Sequence, residues 1–253
     1  MSRNFFNKPS HIFIAEETEA VISYIKEQDC ILNDTIEACP DLRELTGFAI
    51  YHYWADSESV NVFQVVGTAH PDYIGYSWIE MLRRGKRMPL NLRLLKENPD
   101  YYFSPEKKKP EMHYTKVNGK IYISGEGNHR TSIAKVLFFF TGDQVLHGIK
   151  FDEFLVDYEA KNLFEETKRT LLTEGYPVGI EVIRKNVRRE DTAGWKKDYY
   201  EISFLLENYR YSRKKVVTKE GLKKLLQEVE ERKSFWKRVF KGGKFLFSEI
   251  LKK

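Results

Sequence analysis

"YISGEGNHRTSIAKVLFFF", residues 122–140, is the stretch on which the fold turns. An apolar strand runs in, two glycines flank a glutamate, and Asn-His-Arg stands at the mouth of an apolar helix. The spacing predicts a strand over 121–123, a turn at "SGEGN", and a helix starting at Asn128 to Arg130. Ile133, Ala134, Leu137 and Phe140 share one helical face, and Gly142 is the expected stop. The first amides of such a helix have no partner inside it and carry partial positive charge. They are therefore a ready site for an anion, phosphate above all.

The side chains of the turn extend that reading. Gly125 and Gly127 let the backbone approach a ligand closely, and Asn128 is placed to cap the helix. Arg130 sits where the helix dipole disfavours a cation, which points to a bidentate grip on a phosphate oxygen. With Thr131, these residues make the expected phosphate-binding set: Gly125, Gly127, Asn128, Arg130 and Thr131. Glu126, His129 and Arg130 are the candidate catalytic residues. His129 can donate, accept or relay a proton near neutral pH, and Glu126 can act as a base or as ligand to a nucleotide-borne Mg²⁺. The competing reading is structural: a tight turn needs glycine for steric reasons, and Arg130 pairs with a surface acid. The stretch is neither a Walker loop, since no Gly-Lys-Ser/Thr follows, nor the Gly-x-Gly-x-x-Gly fingerprint.

Outward from the turn, "VNGKIYIS" reads as the incoming strand, with Asn118-Gly119 as a turn before it, and "SPEKKKPEMHYTKVNGK" as a loop. Residues 15–39 read as a helix stopped by Pro40, and residues 46–71 as a hairpin turning at "ADSES". A short helix is expected to end near Gly85 and to be broken by Pro89. Residues 151–173 read as helical, "GIEVIRKN" as a strand, and "YYEISFLLENY" fits either. The tail reads as an amphipathic helix capped by Thr218, with Leu222, Leu225, Leu226, Val229, Trp236 and Phe240 as its stripe. "KGGK" would break it before "FLFSEILKK".

Composition bounds the class. The 253 residues are 42% hydrophobic and 14% aromatic, enough for a sizeable core. No apolar run approaches the roughly 20 residues of a membrane span, and residues 1–17 lack a signal-peptide core, so an intracellular, cytoplasmic protein is expected. Cys30 and Cys39 suit a reducing compartment. The net charge of +5 hides a gradient: residues 1–80 hold 4 Lys+Arg against 13 Asp+Glu, and residues 213–253 hold 14 against 5. Complementary ends, −9 and +9, predict that the tail packs on the acidic front rather than on a membrane surface. Arg83, Arg84, Lys86 and Arg87, with Lys107, Lys108 and Lys109, form a candidate rim for nucleic acid; solvated charge is the plainer alternative. His70 can face the site, a satisfied loop histidine being the plainer reading; His113, in a basic loop, is either a phosphate neighbour or without a role; and His52, alternating with aromatics, is expected to be structural.

"ISGEGNHRTSIAKV" resembles the signature of the ParB/sulfiredoxin-like superfamily: a strand, a Gly-rich turn ending in His-Arg or Arg-Arg, and a helix opening with small and apolar residues. The matched positions are Gly125 to Arg130, and the likeness covers about 25 residues, within a domain that could span 67–160. It implies an α/β (α+β) fold, a compact mixed-sheet ParB/sulfiredoxin-like domain that binds a nucleotide through this turn. Partition CTPases, ParB-like nucleases, a free-serine kinase and sulfiredoxin belong to the superfamily. Asn128 stands where sulfiredoxin has its catalytic cysteine, which argues against sulfinic-acid reduction. His129 replaces the second arginine of the partition proteins, no helix-turn-helix is evident, and only "VVGTAHPDYI" stands for the family's first box.

The expected organisation is an added N-terminal α/β layer (1–66), a ParB/sulfiredoxin-like core (67–160), and a C-terminal mixed region (161–253) ending in the basic amphipathic helix. The expected function is binding of a nucleotide or of DNA phosphate, with phosphoryl-transfer chemistry: hydrolysis of ATP or another nucleoside triphosphate, or DNA cleavage, aided by Mg²⁺. A non-catalytic DNA-binding module of a plasmid or phage system, and a small-molecule kinase, are the alternatives. The oligomeric state is left open.

Overall fold

Period-two and helical apolar patterns alternate along this chain, and the outcome is a mixed α+β fold on one nine-stranded mixed sheet. The computed structural model describes residues 8–239, with side chains as far as Glu231. In chain order the elements are α1 (Ser10–Glu16), α2 (Thr18–Lys26), β1 (Glu37–Ala38), α3 (Leu42–Leu45), β2 (Ala49–Asn61) and β3 (Val65–Thr68). There follow α4 (Met81–Arg84), α5 (Met88–Glu97), α6 (Asp100–Phe103), β4 (His113–Val117), β5 (Lys120–Ile123), α7 (Asn128–Thr141) and β6 (Val145–Val156). The chain continues through α8 (Tyr158–Thr173), β7 (Val178–Thr192), β8 (Trp195–Asn208), β9 (Arg213–Val217) and α9 (Lys219–Val239). The strand order is β1-β3-β5-β4-β6-β2-β8-β7, with β9 beside β8.

The chain divides into two units built from discontinuous segments. The first holds residues 1–41, 52–154 and 190–197; the second holds 42–51, 155–189 and 198–253. These limits differ from the expected 66/67 and 160/161, because long strands such as β2 and β6 run from one unit into the other.

In the first unit, the helices α1, α2, α4, α5 and α7 cover one face of the sheet. Ile14, Val21, Ile22, Ile25, Ile79, Ile133, Val136 and Phe138 from the helical layer meet Val65, Tyr114, Ile121, Ile123 and Phe151 from the strands. Strand alternation then turns His113, Thr115 and Asp152, the neighbours of Tyr114 and Phe151, to the opposite face. Strands β3 and β5 are parallel, so both end at the same edge of the sheet. Strand β4 runs antiparallel to β5 and begins there, at His113. That edge, the carboxyl end of parallel strands, is where open α/β sheets usually take ligands.

In the second unit, Phe164 bridges Phe48 and Phe204, with ring centroids 5.5 and 6.3 Å away. Leu222, Leu225 and Val229 of α9 are buried, as their stripe predicts, and the Thr218 hydroxyl accepts from the Gly221 amide at 3.3 Å. Trp236 and Phe240 of that expected stripe, and the break and short helix expected after it, lie outside the described side chains.

Several local expectations are corrected. The helix expected over 15–39 ends at Lys26, because the Asn33 side-chain amide caps its end, donating to the carbonyls of Ile25 (3.0 Å) and Gln28 (2.7 Å). "ADSES" does not turn: with neither glycine nor Asn-Gly, it stays extended, and β2 runs through it while β3 pairs elsewhere. Pro89 opens α5 rather than breaking a helix, since the first helical turn needs no amide from it. "HYTKV", read as loop, is β4, and Asn118-Gly119 closes the β4–β5 hairpin with φ of 44° and 93°. The first part of 151–173 is strand, pairing with β4 from Lys150 to Phe154, and only 158–173 is helical. Helix α7 meets its expectation, from Asn128 to a left-handed Gly142 cap.

Lys135 is a costly residue to bury. It is fully buried in α7, its ammonium has no hydrogen-bond partner, and it rests over the Trp78 ring at 4.4 Å. Burial pushes its pKa down to about 7, and the cation–π contact offsets only part of the cost. Because the folded value lies below the unfolded one, stability should rise as pH climbs from about 7 toward the ordinary lysine value of 10.5. Lys135→Met should stabilise the protein by about 1–3 kcal/mol at pH 6 and remove that alkaline rise. Denaturant melts at pH 6 and pH 9 check this; a variant less stable at both would contradict it.

Candidate functional site

The strand, turn and helix form where the sequence suggests, but Asn128, Thr131 and Arg130 change roles. Gly127, not Asn128, is the helix cap: its φ of +125° is a conformation that a side chain rarely adopts, and no side chain caps the first turn. Asn128 is instead the first helical residue and is turned inward. Its Oδ1 accepts a hydrogen bond from the Thr68 hydroxyl at 2.6 Å, tying the start of α7 to the end of β3. The Thr68 Oγ1 in turn accepts from the His70 amide at 3.0 Å. Thr131 is fully buried, with its hydroxyl shared between the Gly127 carbonyl (2.9 Å) and the Tyr114 hydroxyl (2.7 Å). It holds the turn from below and offers no group to a ligand.

Arg130 also points away from the turn. One guanidinium nitrogen donates to the Tyr101 hydroxyl at 2.7 Å and to the Pro110 carbonyl; the other donates to the Glu111 carbonyl at 2.9 Å. It lines a separate cavity of about 250 Å³, with Asn91, Leu94, Tyr101, Lys109 and Pro110. The cation that the helix dipole disfavours is held by the Tyr101 hydroxyl and by backbone carbonyls of the strap entering β4.

His129 remains at the site. Its Nε2 accepts from the Arg87 amide (3.2 Å) and faces the Tyr73 hydroxyl (3.3 Å), which assigns the ring proton to Nδ1. Burial, reinforced by the Arg87 charge, lowers its pKa, so the ring is neutral at ordinary pH. A Cβ on Gly85 would lie 2.7 Å from this ring, which is why glycine is needed where the chain passes over it. His70 stacks on Tyr73, with centroids 4.5 Å apart, next to His129. Glu126 is exposed at the tip of the turn.

A second constellation was not found from sequence. Asp152 on β6 takes His113 Nε2 on one carboxylate oxygen (2.6 Å) and His52 Nε2 on the other (2.7 Å). Burial alone would raise the Asp152 pKa, but the two histidine hydrogen bonds outweigh it and hold it at about 2. The His52 ring lies flat on Phe154, at 4.3 Å and 9°. Beside them, the Thr115 hydroxyl donates to Ser124 at 2.7 Å. The available signal was period-two alternation in "GIKFDEF", which puts Lys150, Asp152 and Phe154 on one face; it was hidden once that stretch was read as helix.

The donor set around the turn does not build a metal site. Glu126 is a single exposed carboxylate, and no group of three His, Cys, Asp or Glu among the described residues could hold an ion. Mg²⁺ would come only with a ligand's own phosphates.

Three of the seven residues of the candidate basic rim are paired with acids. Arg83 pairs with Glu19, Lys86 with Asp72, and Lys107 with Asp56. Arg84 lies over the Tyr76 ring at 4.4 Å, and Lys108 is buried, donating to the Ser104 carbonyl at 2.7 Å. Arg84, Lys108, Arg87 and Lys109 thus make no ion pair with an acid among the described residues, and Arg87 and Lys109 make no ring contact either. Acids of the front thus meet cations of the same unit, Lys96 on Glu16 and Lys120 on Glu37 among them. In the second unit, Lys219 and Lys223 meet Glu159. No helix among the described residues is long and apolar enough to cross a membrane.

Compared with known proteins, the chain matches no family model, no curated protein and no solved structure.

Arg130→Ala should lower stability by about 1–3 kcal/mol through loss of three charge-assisted hydrogen bonds, and should leave anion binding at the turn intact. Melting curves with and without phosphate check this. An unchanged melting point with lost binding would return Arg130 to the ligand.

Proposed function

We propose that this protein binds a nucleoside triphosphate, with a phosphate group seated on the first amides of α7. The carrying observation is the Gly127 cap: a 14-residue helix starts at the sheet edge with no side-chain hydrogen bond from its cap residue to its first amides. The neutral His129 offers a polar wall, and the unpaired Arg87 offers the charge that was expected of Arg130. The resemblance of the turn to ParB/sulfiredoxin-like proteins supports the same ligand class. A small phosphate is favoured over DNA because three of the seven rim cations pair with acids and Lys108 is buried, whereas a duplex is held by a row of free cations. Phosphoryl-transfer chemistry belongs to this proposal, with His129 and Glu126 beside the bound phosphate.

Thermal shift with ATP, CTP, ADP and a short DNA duplex, each with and without Mg²⁺, is the test. A ligand at 100 times its Kd stabilises the native form by about 2.7 kcal/mol. A nucleotide should raise the melting temperature, and Arg87→Ala should reduce that rise at least tenfold in apparent Kd. No shift with any nucleotide, or a shift with DNA alone, would contradict the proposal.

A further inference from the structure

Arg130 is a cation without a counter-charge. Its guanidinium carries five N–H donors, and three are engaged: Nη1 on the Tyr101 hydroxyl and the Pro110 carbonyl, Nη2 on the Glu111 carbonyl. All three acceptors are neutral. Because Nη1 and Nη2 side by side take the successive carbonyls, the edge formed by Nε and Nη2 is left. That edge grips a carboxylate through two parallel hydrogen bonds. The same chain uses it in Arg189, which holds Asp198 through Nε at 2.7 Å and Nη2 at 3.0 Å, and in Arg83, which holds Glu19.

The cavity that Arg130 lines has the complementary character. It measures about 250 Å³, and Lys109 shares its wall while no Asp or Glu does. Lys109 itself has no hydrogen bond and no acidic partner among the described residues. The remaining wall is largely apolar. Leu95 and Tyr102 are buried and close the cavity inward, whereas Leu94, 48% exposed, leaves it open to solvent. The Tyr101 and Tyr102 rings meet edge to face, with centroids 5.2 Å apart. Two unmatched cations against an aromatic and aliphatic wall suit an amphipathic anion. A purely polar ion would leave the rings wet, and a purely apolar body would leave the cations unmatched. Volume sets the size: the cavity is smaller than the roughly 300–1,000 Å³ of ordinary ligand pockets, so a single ring fits and a nucleotide does not.

We propose that this cavity, formed by α5, α6, Arg130 of α7 and the strap entering β4, binds a small aromatic carboxylic acid in its ionised form. The carboxylate takes the Nε–Nη2 edge of Arg130 with Lys109 beside it, and the ring lies against Tyr101, Tyr102 and Leu95. The site is separate from the start of α7 and does not rest on the phosphate reading.

The test titrates the ¹⁵N-labelled full chain with benzoate and phenylacetate, and with benzamide, acetate and inorganic phosphate alongside. Either aromatic acid should move the amides of Leu94, Tyr101 and Arg130 along one saturating curve. Benzamide keeps the ring and loses the charge, acetate does the reverse, and each should bind about tenfold or more weakly. Lys109→Ala should weaken binding about threefold or more with no change in melting temperature, since Lys109 holds nothing else. Leu94→Trp, at an open position, should fill the mouth and abolish binding in a folded protein. Arg130→Lys keeps the charge without the two-pronged edge and should bind about tenfold or more weakly. Arg130 also holds the strap, so the Lys109 and Leu94 variants keep the outcome readable if that protein does not fold. No saturable movement with either aromatic acid at millimolar concentration overturns the proposal. So does binding of benzamide, acetate or phosphate as tight as that of the aromatic acids, or full binding by Leu94→Trp. Movement of Gly127, Asn128 and His129 with ATP reports the phosphate seat alone.

Discussion

The buried bond between Thr68 and Asn128 is the constraint on which the site depends. It joins the end of β3 to the first residue of α7 at 2.6 Å, and both side chains are buried. One turn further on, the Tyr114–Thr131 hydroxyl pair fixes the same helix to β4. A buried polar pair of this kind contributes modestly when made but costs heavily when half-broken, so it specifies a register more than it adds stability. The helix start therefore cannot slide along the sheet edge. Its amides, the His129 ring and the His113 ring keep fixed positions relative to one another.

Electrostatics then determine what such a start can receive. Lysines and arginines are numerous near the turn, but acids of the same unit pair with several of them, and Arg84, Lys108 and Arg130 are held by a ring or by backbone carbonyls. What remains at the turn is a helix dipole, a neutral histidine and Arg87. That balance suits one compact anion better than a long polyanion, whose binding grows with each cation left free. Arg130 illustrates the same economy: its planar fork matches two successive backbone carbonyls as well as it would match a phosphate.

The strand–turn–helix core was legible in the sequence because each signal there is local. Glycines, an apolar helical face and Gly142 fix α7 within a single stretch. The long strand β2 was not, because "ADSES" is polar and carries no feature that distinguishes an exposed strand from a turn except the missing glycine. The partners of Arg130 and Lys86 lie far along the chain or in loops, and no spacing rule reveals them. His52, His113 and Asp152 come from three strands, separated in sequence by 100 and 39 residues from their shared carboxylate. Only sheet register brings them together, and register is not written in any one segment. His113 was noticed for its basic surroundings, whereas its place is decided by Gly125 and Asp152.

Amide ¹H–¹⁵N spectra of the full chain titrated with Mg·ATP test the turn most directly. The amides of Gly127, Asn128 and His129 should move together and saturate along one binding curve, with smaller changes at Thr68 and Arg87. Saturable movement confined to Tyr101, Lys109 and Arg130, around the neighbouring cavity, or no movement at the start of α7, would contradict the assignment of this helix terminus as the phosphate seat.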